Sequence, residues 1–145
     1  MLAEDSYFIR IGRLSYLVTY LEWAVLGDLP HIPGLPPELD VRKLAGMTTG
    51  RLGQTLQSKK ILQQVSDADT QDWLRRSGEL LEITARDRNS VLQARPATVD
   101  GKQMLYRWHP EGNQVFAVDE AWLEAAEQGI RDAIRELSER RVAKV

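Results

Sequence analysis

Arg88, Asn89 and Gln93 are the residues of this chain whose types and spacing could do chemistry. Leu74, Leu81 and Arg88 lie seven apart, almost on one line of a helix, so Arg88 is carried to where two leucines point. A guanidinium keeps its proton in such a place, and burial therefore demands a carboxylate or a phosphate beside it. Asn89 and Gln93, four apart, share the adjoining face. The helix thus offers an obligate cation and two amides near its C-terminal end. Two partners fit the cation. One is an internal carboxylate, Glu22 or Asp87, which would leave Asn89 and Gln93 as polar rim. The other is a phosphate from outside the chain.

The charge distribution bears on that choice. The chain has 145 residues and a formal net charge of −2, so the whole molecule is not an electrostatic binder of nucleic acid. Residues 51–109 nevertheless carry ten Lys and Arg against seven Asp and Glu. The excess gathers around Arg86, Arg88, Arg95, Lys102 and Arg107, which is compatible with a local phosphate site on an otherwise acidic protein. A solvated surface with uneven charge accounts for it equally well.

The elements that must position these residues are mostly helical. Tyr7, Ile11, Leu14, Val18, Leu21 and Val25 recur at spacings of four and three, which predicts a first helix over about Glu4 to Leu29. Leu17, Trp23 and Leu26 widen its apolar surface, so it should pack against several neighbours or a second subunit. Glu22 sits one position from the stripe, either as a rim carboxylate or as an internal partner for an arginine. Pro30, Pro33, Gly34, Pro36 and Pro37 end this helix and stop another from starting. Thr48 or Thr49 then offers an N-cap for a helix over about Gly50 to Val65. Asp67-Ala68-Asp69-Thr70 caps a third, running from about Thr70 to Ala94 and stopped by Pro96.

Beyond Pro96 the period changes to two. Met104, Tyr106 and Trp108 alternate with Leu105, Arg107 and His109, Pro110–Asn113 reads as a turn, and Gln114–Val118 is strand-like again. This predicts a hairpin within residues 97–118. Asp119 caps a final helix with Leu123, Ile130, Ile134 and Leu137 on one line. The fold expected is a single mainly α domain over residues 1–145, a helical bundle with a small C-terminal β-hairpin and a last helix.

Other chemistry is thin. With no cysteine there is no disulfide, zinc-thiolate site or thiol nucleophile, which fits a reducing compartment. No apolar run reaches membrane-spanning length, and Glu4 and Asp5 stand where a signal peptide carries basic residues. A cytoplasmic protein is expected. His31 has no second ligand nearby, and Asp67, Asp69 and Asp72 lack the glycine and terminal glutamate of a calcium loop. No metal site and no cofactor are expected.

The run Arg88-Asn89-Ser90-Val91-Leu92-Gln93 resembles the Arg-polar-x-x-x-His signature of the HEPN superfamily, with Gln93 where that family has histidine. Leu21-Glu22-Trp23 in a long first helix, Thr48-Thr49-Gly50 opening the second and Arg-Asn late in the third are similar to bacterial HEPN-like proteins over roughly residues 8–96. Only Arg88-Asn89 is specific among these. The resemblance implies a helical bundle that dimerises with its motifs meeting across the interface. It also implies metal-independent RNA cleavage by 2′-hydroxyl attack on the adjacent phosphate, in a toxin or defence setting with a neutralising (antitoxin) partner. On that basis Arg88 would hold the phosphate and stabilise transition-state charge, Asn89 would orient it, and position 93 would move the proton. Glu22 would hold the guanidinium in the absence of phosphate, with Arg95 in support.

Gln93 cannot move a proton, since a carboxamide has none to trade near neutral pH. Cleavage is therefore expected to be impaired or absent. His109 could trade a proton instead, but beside Arg107 at a turn it reads as an exposed flank. The competing class is a non-enzymatic dimeric interaction module in which Arg88 is a structural ion pair. One helix cannot surround a phosphate, because Arg88 and Gln93 stand roughly 140° apart around the axis. A second wall is required, expected from a second copy.

Overall fold

The computed structural model describes residues 2–109 and 114–140. Six helices and three strands follow in the order α1 (Asp5–Asp28), α2 (Val41–Leu44), α3 (Thr49–Leu56), α4 (Lys59–Leu62), α5 (Ala68–Leu92), β1 (Arg95–Val99), β2 (Lys102–His109), β3 (Gln114–Val118) and α6 (Glu120–Glu139) among those residues. The mainly helical architecture, with a small sheet before a last helix, is the one the hydrophobic periods predict. The turn expected at Pro110–Asn113 and the side chain of His109 lie outside the described residues.

Helix α1 buries Tyr7, Leu14, Val18, Leu21 and Val25, the stripe that its sequence spacing marks. The proline-rich connection after it forms 3₁₀ turns at Leu29–His31 and Pro37–Leu39, anchored by buried Leu29, Ile32 and Leu39. A helix starts only beyond these prolines, as the four residues of α2. Asp40 allows it by accepting a hydrogen bond from the Arg42 amide at 2.9 Å.

The second helix is shorter than its sequence predicts. Thr48 caps α3 by accepting from the Arg51 amide, but Ser58 leaves helical geometry at φ −60° and ψ 122°. The chain restarts as α4, which turns Ile61 and Val65 into the core. The Gln71 side-chain amide then donates to the carbonyls of Leu62 (2.9 Å) and Val65 (2.6 Å), satisfying backbone groups left where α4 ends. Helix α5 begins as expected: the Asp67 carboxylate accepts from the Thr70 hydroxyl (2.7 Å) and amide (2.9 Å), and both bonds hold its pKa below the usual carboxylate range.

The hairpin expected near the C-terminus is the second half of a three-stranded antiparallel sheet in the order β1-β2-β3. Asp100 and Gly101 form the two-residue turn before β2, with φ of +49° and +77°, between paired Val99 and Lys102. Two positive φ values match the right-handed twist of the flanking strands. Pro96 is tolerated because β1 is an edge strand, where the missing N–H breaks no ladder. The sheet is fastened to α1 by Tyr7, whose hydroxyl donates to the Val118 carbonyl (2.6 Å) and accepts from the Leu105 amide (2.8 Å).

Asp119 caps α6 by accepting from the Trp122 amide at 2.8 Å, and Leu123, Ile130 and Leu137 are buried along its inner line. On its rim, the Arg76 guanidinium of α5 grips Glu136 through two bonds of 2.7 and 2.9 Å. That grip, with Arg140 beside it, keeps the Glu136 carboxyl below its ordinary pKa.

Candidate functional site

Leu74 and Leu81 are fully buried, and Arg88 continues their line into the last turns of α5 as a partly buried residue. Helix α3 crosses this region at close range. The backbones of Gly53 and Gly78 approach so closely that a Cβ on either would lie 2.5–2.7 Å from the other's carbonyl oxygen. Gly50, one turn earlier, brings the start of α3 to Ala85.

Neither carboxylate weighed as an internal partner is bonded to Arg88. The Glu22 carboxylate accepts a short hydrogen bond from the Thr49 hydroxyl, so it fastens α1 to the first turn of α3. The expected Glu22–Arg88 contact is not made. Arg88 has no ion pair with any described residue, and its Nε is shielded from solvent without a hydrogen-bond acceptor. An orphaned buried donor of this kind is uncommon, and its natural complement is an anion that supplies acceptor oxygens.

Asp87 also stands without a hydrogen bond or ion pair among the described residues, and burial pushes its carboxyl above the usual aspartate pKa. The sign of the linkage follows. A carboxyl whose pKa is raised on folding favours the folded state when protonated, and that contribution disappears as pH rises through the folded value. At neutral pH the charge therefore works against folding. Asp87→Asn should raise the Tm at pH 7, with the gain shrinking as pH falls from the raised folded pKa to the ordinary aspartate value and absent below it. Thermal melts of the two proteins from pH 7 to pH 3 check this, and a lower Tm for the variant at pH 7 would show that the carboxylate has a stabilising partner.

Gln93 follows α5 as its C-cap residue, with its amide bonded to the Asn89 carbonyl at 2.9 Å. Its side chain is exposed, yet held: Oε1 accepts from Arg107 Nη2 at 2.7 Å. The wall beside position 93 is therefore strand β2 of the same chain. Arg107 also donates to the Trp108 carbonyl at 3.1 Å, and its Nε, like that of Arg88, is shielded and without an acceptor. With the Gln93 oxygen occupied by Arg107, its NH₂ group remains to donate outward. Arg107 and the Gln93 NH₂ group are thus both donors at this end of α5, suited to an oxyanion and unsuited to a cation.

Asn89 is exposed beside this group. Arg95 is also exposed and pairs across the ladder with Tyr106, which places it on the sheet face opposite Arg107. The structure thus joins Gln93 to Arg107, keeps Arg88 and Asn89 on the same helix end, puts Arg95 on the opposite sheet face, and gives the Glu22 carboxylate to Thr49. Arg107 was legible as part of the basic excess but not as a site residue. The signal was its alternation with Leu105, which makes it an inward-facing cation by the same logic that singles out Arg88. Among the described residues, no group of three or more His, Asp or Glu could hold a metal ion, and no helix is long and apolar enough to cross a membrane.

Comparison with family profiles, with characterised proteins and with solved structures finds no match to this chain.

Proposed function

We propose that this chain is a HEPN-type ribonuclease scaffold that holds an RNA phosphate at Arg88 but cleaves poorly or not at all, because Gln93 stands where a proton-transfer residue is needed. The observation that carries this reading is the shielded Nε of Arg88 with no acceptor. An arginine on the leucine line of a helix needs an anion, and none of the described residues supplies one. Arg107 supports the same reading, since it brings a second guanidinium to position 93 from across the sheet. In this proposal the two arginines bind and orient the phosphodiester, Asn89 lines its approach, and the Gln93 amide donates to an oxygen without relaying a proton. The absence of cysteine suits the cytoplasmic toxin or defence setting that this reading entails, with a neutralising protein as partner.

The binding half of the proposal is tested without any cleavage. Titration with a short single-stranded RNA at low salt should give an affinity that falls as salt rises. Arg88→Ala should weaken it about tenfold or more, the weight of one charge-assisted contact. The melting temperature of that variant should stay near the parent's. In the competing reading, an interaction module with a structural Arg88, RNA affinity is absent and Arg88→Ala chiefly lowers the Tm.

A further inference from the structure

The sheet packs one face against the helices and turns the other to solvent. On the inner face Leu105 of β2 pairs with Val118 of β3, and both lie in or against the core. Successive side chains of a strand point to opposite faces, so Tyr106 and Trp108 point outward, and neither joins the core. Trp108 is 52% exposed. The open face of a sheet covered on one side is ordinarily polar, and two neighbouring aromatic rings depart from that rule. Arg95 of β1 stands opposite Tyr106 in the ladder, so the two side chains share this face. Arg95 is exposed and has no ion pair with any described residue. None of the strand residues that alternation assigns to the outer face is acidic.

We infer that this outer face stacks the bases of single-stranded RNA, whose backbone runs onto it from the end of α5. The inference rests on the reading of this chain as an RNA binder and adds a second contact to it, away from Arg88. Continuity is the first reason. Arg107 lies between Tyr106 and Trp108 and points the other way, where it holds Gln93. The pairing of β1 with β2 starts at Arg95 and Tyr106, so no ladder stands between Trp108 and the end of α5. A strand leaving the Gln93–Arg107 pair therefore meets Trp108 first and Tyr106 next, with Arg95 beside it for a following phosphate.

Charge and spacing are the second reason. A nucleotide offers a flat base and an anion, and surfaces that bind single strands answer with aromatic rings beside cations. The outer face has both, and its strands place no carboxylate there to repel the backbone. Rings at alternate positions of one strand stand roughly 7 Å apart, twice the ~3.4 Å rise per nucleotide of a duplex strand. Two bases can lie on both rings only when they are splayed out of a helix. That spacing selects single-stranded over paired RNA, whose base faces are hidden in the stack.

The experiment titrates the full chain into fluorescently labelled oligouridine at low salt and reads anisotropy. Trp108→Leu keeps apolar bulk without a ring and should weaken binding about 5- to 150-fold, the usual worth of one stacked base. Trp108→Phe keeps a ring and should retain most of the affinity. Because Trp108 is half exposed, the circular dichroism of both variants should match the parent's. Neither should change the slope of log affinity against log salt, whereas Arg95→Gln should flatten it by about 0.7, the share of one phosphate contact on a single strand. An RNA duplex should bind the parent and Trp108→Leu alike. A Trp108→Leu protein that binds oligouridine as the parent does overturns the inference, and so does an equal loss in Trp108→Leu and Trp108→Phe. The Arg88 reading then still stands if Arg88→Ala weakens binding. A loss in Trp108→Leu with none in Arg88→Ala supports the outer face and removes Arg88 as the phosphate holder. A parent without affinity for oligouridine overturns both.

Discussion

A Gln93→His variant should cleave RNA at a rate about 10²–10⁴ above the parent, the usual worth of a positioned general acid–base. The gain should survive chelator and disappear again in Gln93→His/Arg88→Ala. The geometry favours a working histidine there. Position 93 is exposed at the end of α5 and faces Arg107 Nη2, so an imidazole in the same place would sit beside a fixed positive charge. Such a neighbour disfavours imidazolium and lowers the histidine pKa from its ordinary value of about 6.5. The ring would be neutral at pH 7 and able to take the 2′-hydroxyl proton, with activity lost as pH falls through the lowered pKa. Arg107→Gln in the same background should move that acidic limb to higher pH, a shift that a purely structural Arg107 would not produce. If the histidine variant is folded and cuts nothing in a broad RNA panel, the latent-nuclease reading fails, while phosphate binding at Arg88 remains a separate measurement.

Gly78→Ala should cost about 3 kcal/mol of stability, at the upper end of overpacking effects. The new Cβ would stand 2.5 Å from the Gly53 carbonyl oxygen, 2.7 Å from Gln57 Cγ and 3.2 Å from Leu56 Cβ. The first of these is backbone and cannot swing aside, so α3 must move off α5. Against this works the better helix propensity of alanine, about 1 kcal/mol, which is too small to change the sign. For a chain of this size the Tm should fall by roughly 6–12 °C. Gly129→Ala is the matched control: it lies on α6 with nothing within 4 Å of the added methyl, so only propensity acts and stability should rise by about 0.5–1 kcal/mol. Thermal melts of both read the difference. A Gly78→Ala protein as stable as the Gly129→Ala one would mean that the two helices do not meet at these glycines.

What the sequence by itself determined is what neighbours along the chain decide. Thr48, Asp67 and Asp119 cap the amides of residues three positions ahead, and the 3.6-residue spacing of Tyr7, Leu14, Val18 and Leu21 marks a face wherever the partner comes from. These interactions are local, so α1, α5 and α6 were legible to within a few residues. The Asp100-Gly101 turn was equally local and available, but Pro96 reads as a stop and hides the strand, since only its edge position makes a proline harmless there. The break at Ser58 belongs to tertiary structure. Its residues favour a helix, and the burial of Ile61 and Val65 against other elements outweighs that preference.

The site divides along the same line. Residue types alone put a cation on the leucine line at Arg88 and gave position 93 a side chain with no proton to trade near neutral pH. Whether that cation had a carboxylate could not be read from the chain, because Glu22 has a choice of partners and takes Thr49, 27 residues away. That Gln93 meets Arg107 depends on β2 folding back across the end of α5, a contact between residues 14 apart that no spacing rule encodes. Periodicity fixes which face a side chain occupies; only packing decides what faces it, and a charged group's chemistry is set by its neighbour.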